Sequence, residues 1–343
     1  MKFLFMTDIH ARSTNPRARK DNLLETMFLK LDEVRQLGIE HGVTAYLFGG
    51  DLTDKPDTPY SVTGALIRSL MQFPAPIYGV AGNTHDIWGD NILTVQRTAL
   101  DVVQAAGCID LIEPGKARMF EGKGFTVQVT GQHYHKEMDR RDFRMDYCVT
   151  RDPESPDRMH YRTGDVRWAI HIVHGMLTAE PLMEAIHHTL VEDVLANTMA
   201  DITLSGHEHK GYGVVEAHGR TACNPGALVR LFADRKEMER TVQVALITLT
   251  ADSCKVELIP LQSARPGDEV LDRSHIDTAN AKNMAMERFI ADVHQGGDFE
   301  ALDIPSIIER MAANKGVPAA VLQEAIERVH VATEELSARE VAV

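Results

Sequence analysis

Long hydrophobic runs are missing from this chain of 343 residues: none reaches the roughly 18 residues that a membrane span requires. An integral helical membrane protein is therefore excluded. The apolar part of the N-terminal MKFLFMTDIH is far too short for a signal peptide and runs straight into polar residues. It reads as the first core strand of a cytoplasmic protein. Cysteine is scarce. Cys108, Cys148, Cys223 and Cys254 are widely spaced and form no CxxC pair, which argues against a cysteine-based zinc site or a disulfide framework. Reduced, mostly buried thiols are expected. Positive charge is also short, with 36 Lys and Arg against 50 Asp and Glu, a formal net charge of −14. A chain so acidic is a poor electrostatic match to a nucleic-acid backbone when it acts alone. Otherwise the composition, 44% hydrophobic and 25% charged, is that of an ordinary globular protein.

What is present is an alternation of strand and helix patterns over the first two thirds. Phe3–Met6, Thr44–Phe48, Pro76–Ala81, Trp168–Val173 and Ile202–Leu204 read as strands. Helical spacing falls at about 20–37, 61–71, 91–106 and 181–197. Each of the five apolar runs delivers a metal-type residue just beyond its C-terminal end. In open α/β sheets, ligands gather in the crevice outside those ends, so residues distant in sequence can converge there. After residue 210 the character turns to β, with hairpins at Gly213–Cys223 and Val242–Leu261. The run Arg265-Pro266-Gly267-Asp268 reads as a linker. Helices are expected at 278–294, 305–314 and 318–338, with Pro305 and Pro318 in first turns. The resulting domains are 1–265 and a helical extension at 275–343. The segment 132–167, with eight Lys or Arg and eight Asp or Glu, reads as a surface excursion.

Hard divalent ions that perform hydrolysis take carboxylate, imidazole and carbonyl ligands, and two neighbouring ions need a carboxylate to bridge them. The candidates are Asp8-x-His10, Asp51, Asn83, His174 and His207-x-His209. Residues two apart in extended chain face the same way, so each D-x-H or H-x-H pair can address one locus. A lone pair of this kind is weak; seven such residues, each at a strand end, are not. His133 and His135 form another H-x-H outside this set. His187 and His188, on an expected helix, and His218, in a hairpin turn, read as solvated.

The order DIH at 8–10, GDLTD at 50–54, GNTHD at 82–86, HG at 174–175 and GHEH at 206–209 resembles the calcineurin-like metallophosphoesterase family over roughly residues 1–260. The resemblance implies an α/β fold, a β-sandwich flanked by helices in four α-β-β-α layers, here with a C-terminal helical extension. It also implies two divalent ions, manganese first, with iron or zinc as alternatives. One ion would be held by Asp8, His10, Asp51 and His209. The other would be held by Asp51, Asn83, His174 and His207, with Asp51 bridging. The ions would activate a water for in-line attack on phosphorus. The family places His directly after Asn, whereas Thr84 intervenes here. Two registers are open. If the loop bulges by one residue, His85 meets the leaving group and Asp86 orients its ring; otherwise Thr84 occupies the family's His position. The intact His-Asp pair favours the first. Asp54 matches an acid that supports the ligands from outside.

Within the family, NPRARKDN at 15–22, GDLTDKPDTPYS at 50–61 and NPGALVRL at 224–231 are similar to SbcD-type DNA exonuclease subunits, especially short phage forms. That likeness implies DNA as substrate and an SMC-like (SbcC-like) ATPase as partner. It also implies a homodimer, for which helices at about 59–72 and 89–106 are candidates. The amphipathic C-terminal helices would dock the ATPase. Arg12, Arg17, Arg19 and Lys20 would meet DNA locally. The alternatives are a small-molecule or nucleotide phosphodiesterase, and a non-catalytic scaffold.

Overall fold

The computed structural model describes residues 1–151, 160–295, 308, 309, 312, 317–319 and 321–329. In chain order its strands are β1 (Lys2–Met6), β2 (Ala45–Phe48), β3 (Ile77–Gly79), β4 (Asp110–Leu111), β5 (Ala117–Gly122), β6 (Phe125–Gln132), β7 (Val149–Thr150) and β8 (His160–Tyr161). There follow β9 (Trp168–Gly175), β10 (Leu177–Thr178), β11 (Thr189–Leu190), β12 (Ile202–His207), β13 (Gly213–Ala217), β14 (Arg220–Asn224), β15 (Gln243–Leu249) and β16 (Cys254–Pro260). The helices used below are α1 (Leu23–His41), α2 (Tyr60–Leu70), α3 (Ala99–Ala105), α4 (Arg144–Tyr147), α5 (Val191–Asn197), α6 (Arg235–Glu239), α7 (Gly267–Val270) and α8 (Ser274–Gln295).

Two six-stranded sheets form the body, ordered β16-β15-β1-β2-β3-β4 and β13-β14-β12-β9-β6-β5. Alternation along β1 explains why they stack. Phe3 and Phe5 point one way, and join Ala45, Leu47 and Ile247 against Val127, Val129, Ile170, Ile172 and Leu204 of the second sheet. Leu4 and Met6 point the other way, into a core with Leu23, Met27, Leu31 and Val34 of α1 and Leu66 of α2. The outer face of the second sheet packs Val173 and Ala222 against Tyr147 of α4 and Val191, Val194 and Leu195 of α5. The order is thus helix, sheet, sheet, helix, as the resemblance implies.

Helix α1 is well bounded. The Asn22 side chain accepts from the Leu24 and Glu25 N–H groups, and Gly42 closes the other end at φ 61°. Losing that N-cap would cost about 1 kcal/mol. Both hairpins after residue 210 form as expected, β13 with β14 and β15 with β16. None of the four cysteines, all among the described residues, forms a disulfide. Among the described residues, no helix is long and apolar enough to cross a membrane.

Several expectations need correction. Residues 91–106 are not one helix. A 3-10 segment, Ile92–Arg97, gives way to α3 at Thr98, whose hydroxyl caps the Asp101 N–H. The helix expected at 181–197 begins only at Val191, because Thr189 and Leu190 pair in parallel with Leu177 and Thr178. His187 and His188 therefore lie in a loop. The segment 132–167 is no mere surface excursion. His133, Met138, Asp146, Tyr147, Cys148 and His160 are buried within it. The linker expected at 265–268 runs into α7, where a β-carbon on Gly267 would collide with the Met238 backbone.

The chain divides into two compact units, Met1–Arg273 and Ser274–Val343. In the second, α8 contains the helix expected at 278–294. Ile308, Glu309, Ala312, Ala319 and residues 321–329 are helical. Apart from Pro318, the rest of the helices expected at 305–314 and 318–338 lies outside the described residues, as does Ile304 before them.

Candidate metal centre

Strands β1, β2 and β3 run parallel, as do β9 and β12, and the expected ligands leave from their carboxyl ends. The β1 and β2 loops are laced together beyond the strands. Asp8 N–H donates to Gly50 O, His10 N–H to Asp51 O and Ala11 N–H to Leu52 O, at 3.0 Å each. Asp8, His10, Asp51 and His207 all sit in the left-handed region, with φ of 54°, 47°, 56° and 86°. Each costs about 1 kcal/mol or more and persists where the surroundings over-determine it. At Gly82, a β-carbon would run into the Asp51 carboxylate, so the β3 loop approaches Asp51 only because that residue is glycine.

The side chains converge in two groups that share Asp51. Asp8, His10, Asp51 and His209 form one group able to hold a metal ion; Asp51, His174 and His207 form the other. His10 Nε2 lies 2.9 Å from His209 Nε2 and 3.7 Å from Asp51 Oδ2. His174 Nε2 lies 3.4 Å from that same Oδ2, without the alignment a hydrogen bond needs. His174 is aimed by its other nitrogen, which donates to Gly49 O at 2.7 Å. The Asn83 amide lies beside His207, Nδ2 to Nδ1 3.2 Å, while Oδ1 accepts from the His85 N–H.

The buried atoms here fit bound cations. Asp51 Oδ2 and His174 Nε2, 3.4 Å apart, are buried with no hydrogen-bond partner among the described residues. Leaving such atoms unpaired costs about 1–3 kcal/mol each. Burial alone would push Asp51 up, but the His174 and His10 imidazoles outweigh it and hold the carboxyl below its usual range. Burial opposes a charge on His174, yet Asp51 and Asp8 raise it to about 9. Burial and the His174 charge lower His207 to about 3. Cation binding would have to displace the proton that His174 otherwise keeps.

In the GNTHD loop the two candidate positions face different surroundings. Thr84 is exposed, whereas the His85 ring packs edge-on against His10, centroids 4.5 Å apart. His85 also forms a third cluster with His10 and Asp54. Asp86 does not orient that ring. Its Oδ1 accepts from Leu52 and Thr53 N–H, and its Oδ2 from Gly82 N–H, at 2.8–3.2 Å. Burial and nearby Asp51 push its pKa up to about 7 against the pull of those N–H groups. Instead, His85 Nδ1 donates to Asp54 O at 2.8 Å. The Asp54 carboxylate pairs with Arg12 at 3.1 Å.

Other expected contacts resolve differently. Arg19 pairs with Asp21 with its side chain 1% exposed, and Lys20 donates to Asp268 O, so both are engaged within the chain. His133 is buried and accepts from Ala81 N–H. His135 joins Arg141 on Asp146. His218 pairs with Glu192. Sequence reasoning missed Thr7, whose hydroxyl donates to Asp8 at 2.7 Å. It also missed Tyr134, its ring 5.4 Å from His207, and Phe232, its ring 6.1 Å from His209. A scan for metal-type residues passes over both aromatics.

The family model described as calcineurin-like phosphoesterase matches residues 1–211 and so takes in every one of the seven converging residues. The chain belongs to the calcineurin-like phosphoesterase family. Membership supports a hydrolase, and this family works with divalent metals. Strands β13–β16, beyond the matched span, complete both sheets. No curated protein matches the chain. Similar solved structures include TT1561 of Thermus thermophilus, 12% identical, covering 75% of this chain and 98% of that one at a TM-score of 0.42. GAP50, the anchor in the inner membrane complex of Plasmodium, is 11% identical over 78% of this chain and 85% of its own, at 0.45. A dimetal phosphatase from Danio rerio is 10% identical over 76% and 96%, at 0.44.

Proposed function

We propose that this chain is a metal-dependent phosphodiesterase that hydrolyses DNA as the SbcD-like nuclease subunit of an end-processing complex. The observation that carries the metal chemistry is the Asp51 Oδ2 atom, buried, unpartnered and within reach of both His10 and His174. A bridging carboxylate has this placement. Asp8, His10, Asp51 and His209 would hold one divalent ion; Asp51, Asn83, His174 and His207 would hold the second. Manganese is the first choice. The ions, when bound, lower the pKa of a water and neutralise charge on the phosphoryl oxygens. The chain's own work is positional. Gly49 O fixes the His174 ring, Thr7 fixes the Asp8 carboxylate, and Asp54 O fixes His85 with its Nε2 left to serve the leaving oxygen.

DNA rests on the SbcD-like stretches and on Arg12 at the edge of the centre. The chain carries too little positive charge to hold a duplex alone. An SMC-like ATPase, docked by the C-terminal helices, would supply it. Tyr60, Leu93 and Val102 are exposed, 90%, 83% and 45%, and suit a homodimer contact. Sedimentation at micromolar concentration tests this; a monomer counts against it. The charge of −14 also favours a second reading, a phosphodiesterase for a small or nucleotide substrate.

Purified protein with manganese should degrade linear duplex DNA, and faster with its ATPase. Turnover of a chromogenic phosphodiester with no DNA cleavage, even with the ATPase present, favours the small-substrate reading. Inactivity on both favours a scaffold.

A further inference from the structure

The metal centre is flanked by an aromatic side chain at each end. Tyr134 lies tilted at 37° to His207, and Phe232 lies nearly parallel to His209, 26° between planes. Phe232 is 60% exposed, although its neighbours Leu231 and Ala233 are buried. A lone exposed hydrophobic residue is usually unremarkable. This one is held out by a loop that is hydrogen-bonded along its length. Ala227 N–H donates to His209 O, and Leu228 N–H to Thr7 O and Asp8 O. The buried Arg230 guanidinium donates to the carbonyls of Glu237, Arg240 and Arg265. Arg240 returns donors to Ala227 O and Val229 O. The loop therefore fixes one face of the Phe232 ring toward His209 and leaves much of the rest in water, next to a candidate ligand.

We infer that Phe232 is a specificity-determining platform on which an unpaired nucleobase beside the scissile phosphate stacks, so that the preferred substrate is a single-stranded or frayed polynucleotide end. This rests on the nuclease reading above. A π-face accepts any base, and stacking needs no positive charge, which suits a chain of net charge −14. Tyr134, half-buried at the opposite end, bounds the far side of the centre.

The test compares two single-stranded oligonucleotides under manganese, one with every base and one with abasic residues on both sides of the scissile phosphate. Wild-type protein should favour the base-bearing strand by roughly tenfold in kcat/KM, mostly through KM. Phe232→Ala should bring that ratio close to one, and Phe232→Trp should restore it. Equal cleavage of the two strands by wild type, or an unchanged ratio in Phe232→Ala, overturns the platform and leaves the nuclease reading standing. Turnover of a small chromogenic phosphodiester with neither strand cut overturns both.

Discussion

The two sheets build their halves of the centre differently. The first sheet contributes Asp8, His10, Asp51 and Asn83 from loops beyond its strand ends. Three of these four residues have left-handed backbone, and hydrogen bonds between loops hold Asp8, His10 and Asp51 in place. The second sheet presents His174 and His207 within β9 and β12, where the ladder itself sets their register: Gly206 opposite His174 and His207 opposite Gly175. The first half carries both shared and unshared carboxylates and bears the strain. The second carries only imidazoles, with one left-handed residue, His207. Carboxylates are placed where the loops can be cross-braced, and imidazoles alone where the strands set the register.

The sharpest way to break this contrast is Asp51→Asn. Losing the shared carboxylate should empty both loci and reduce turnover about a thousandfold or more. Elemental analysis showing unchanged metal content would assign the sharing elsewhere. His85→Ala should slow phosphodiester cleavage by about 10²–10⁴, while Thr84→Ala, altering an exposed side chain, should stay within a few-fold. The reverse ranking in steady-state kinetics would assign the catalytic position to Thr84. Asp86→Ala should remove the clasp between the Asp51 and Asn83 loops, leaving three N–H groups unpaired at a cost of about 3 kcal/mol. Urea denaturation measures this, and a loss of activity with no loss of stability would contradict a bracing role.

A pH-dependent effect sharpens the picture on the second sheet. His133 and His171 are buried and neutral, burial lowering each from 6.5 to about 4, and burial holds His160 well below its ordinary value too. Unfolded histidines take up protons near 6.5, before these folded ones do. The stability they contribute is full above that pH and is lost as pH falls from about 6.5 toward 4, on the order of 3 kcal/mol for each of His133 and His171. Unfolding free energy measured between pH 7 and 5 should fall, and His171→Gln should flatten the slope. A slope unchanged by that substitution would place the titration elsewhere.

The seven candidate residues were legible because each follows an apolar run, and a parallel sheet sends those ends one way. What was not legible depends on partners distant in sequence. The charges of 132–167 look solvated, but Asp146 is buried under Arg141 and His135. Asp139 accepts from Tyr147, Thr189 and Met176, which lie 8 to 50 residues away. Residues 182–188 are good helix formers, yet the pairing of Thr189 with Leu177 holds the approach to α5 extended. The His85-Asp86 dipeptide suggested an orienting pair. In the fold the two side chains diverge, because the backbone N–H groups of Leu52, Thr53 and Gly82 need an acceptor.

The central claim is that one carboxylate serves two ions. Electron paramagnetic resonance of metal-free protein titrated with manganese tests it most directly. Two equivalents should give an exchange-coupled pair in the wild type and no coupled signal in Asp51→Asn. Saturation at one isolated ion per chain, or coupling that survives in Asp51→Asn, would contradict it.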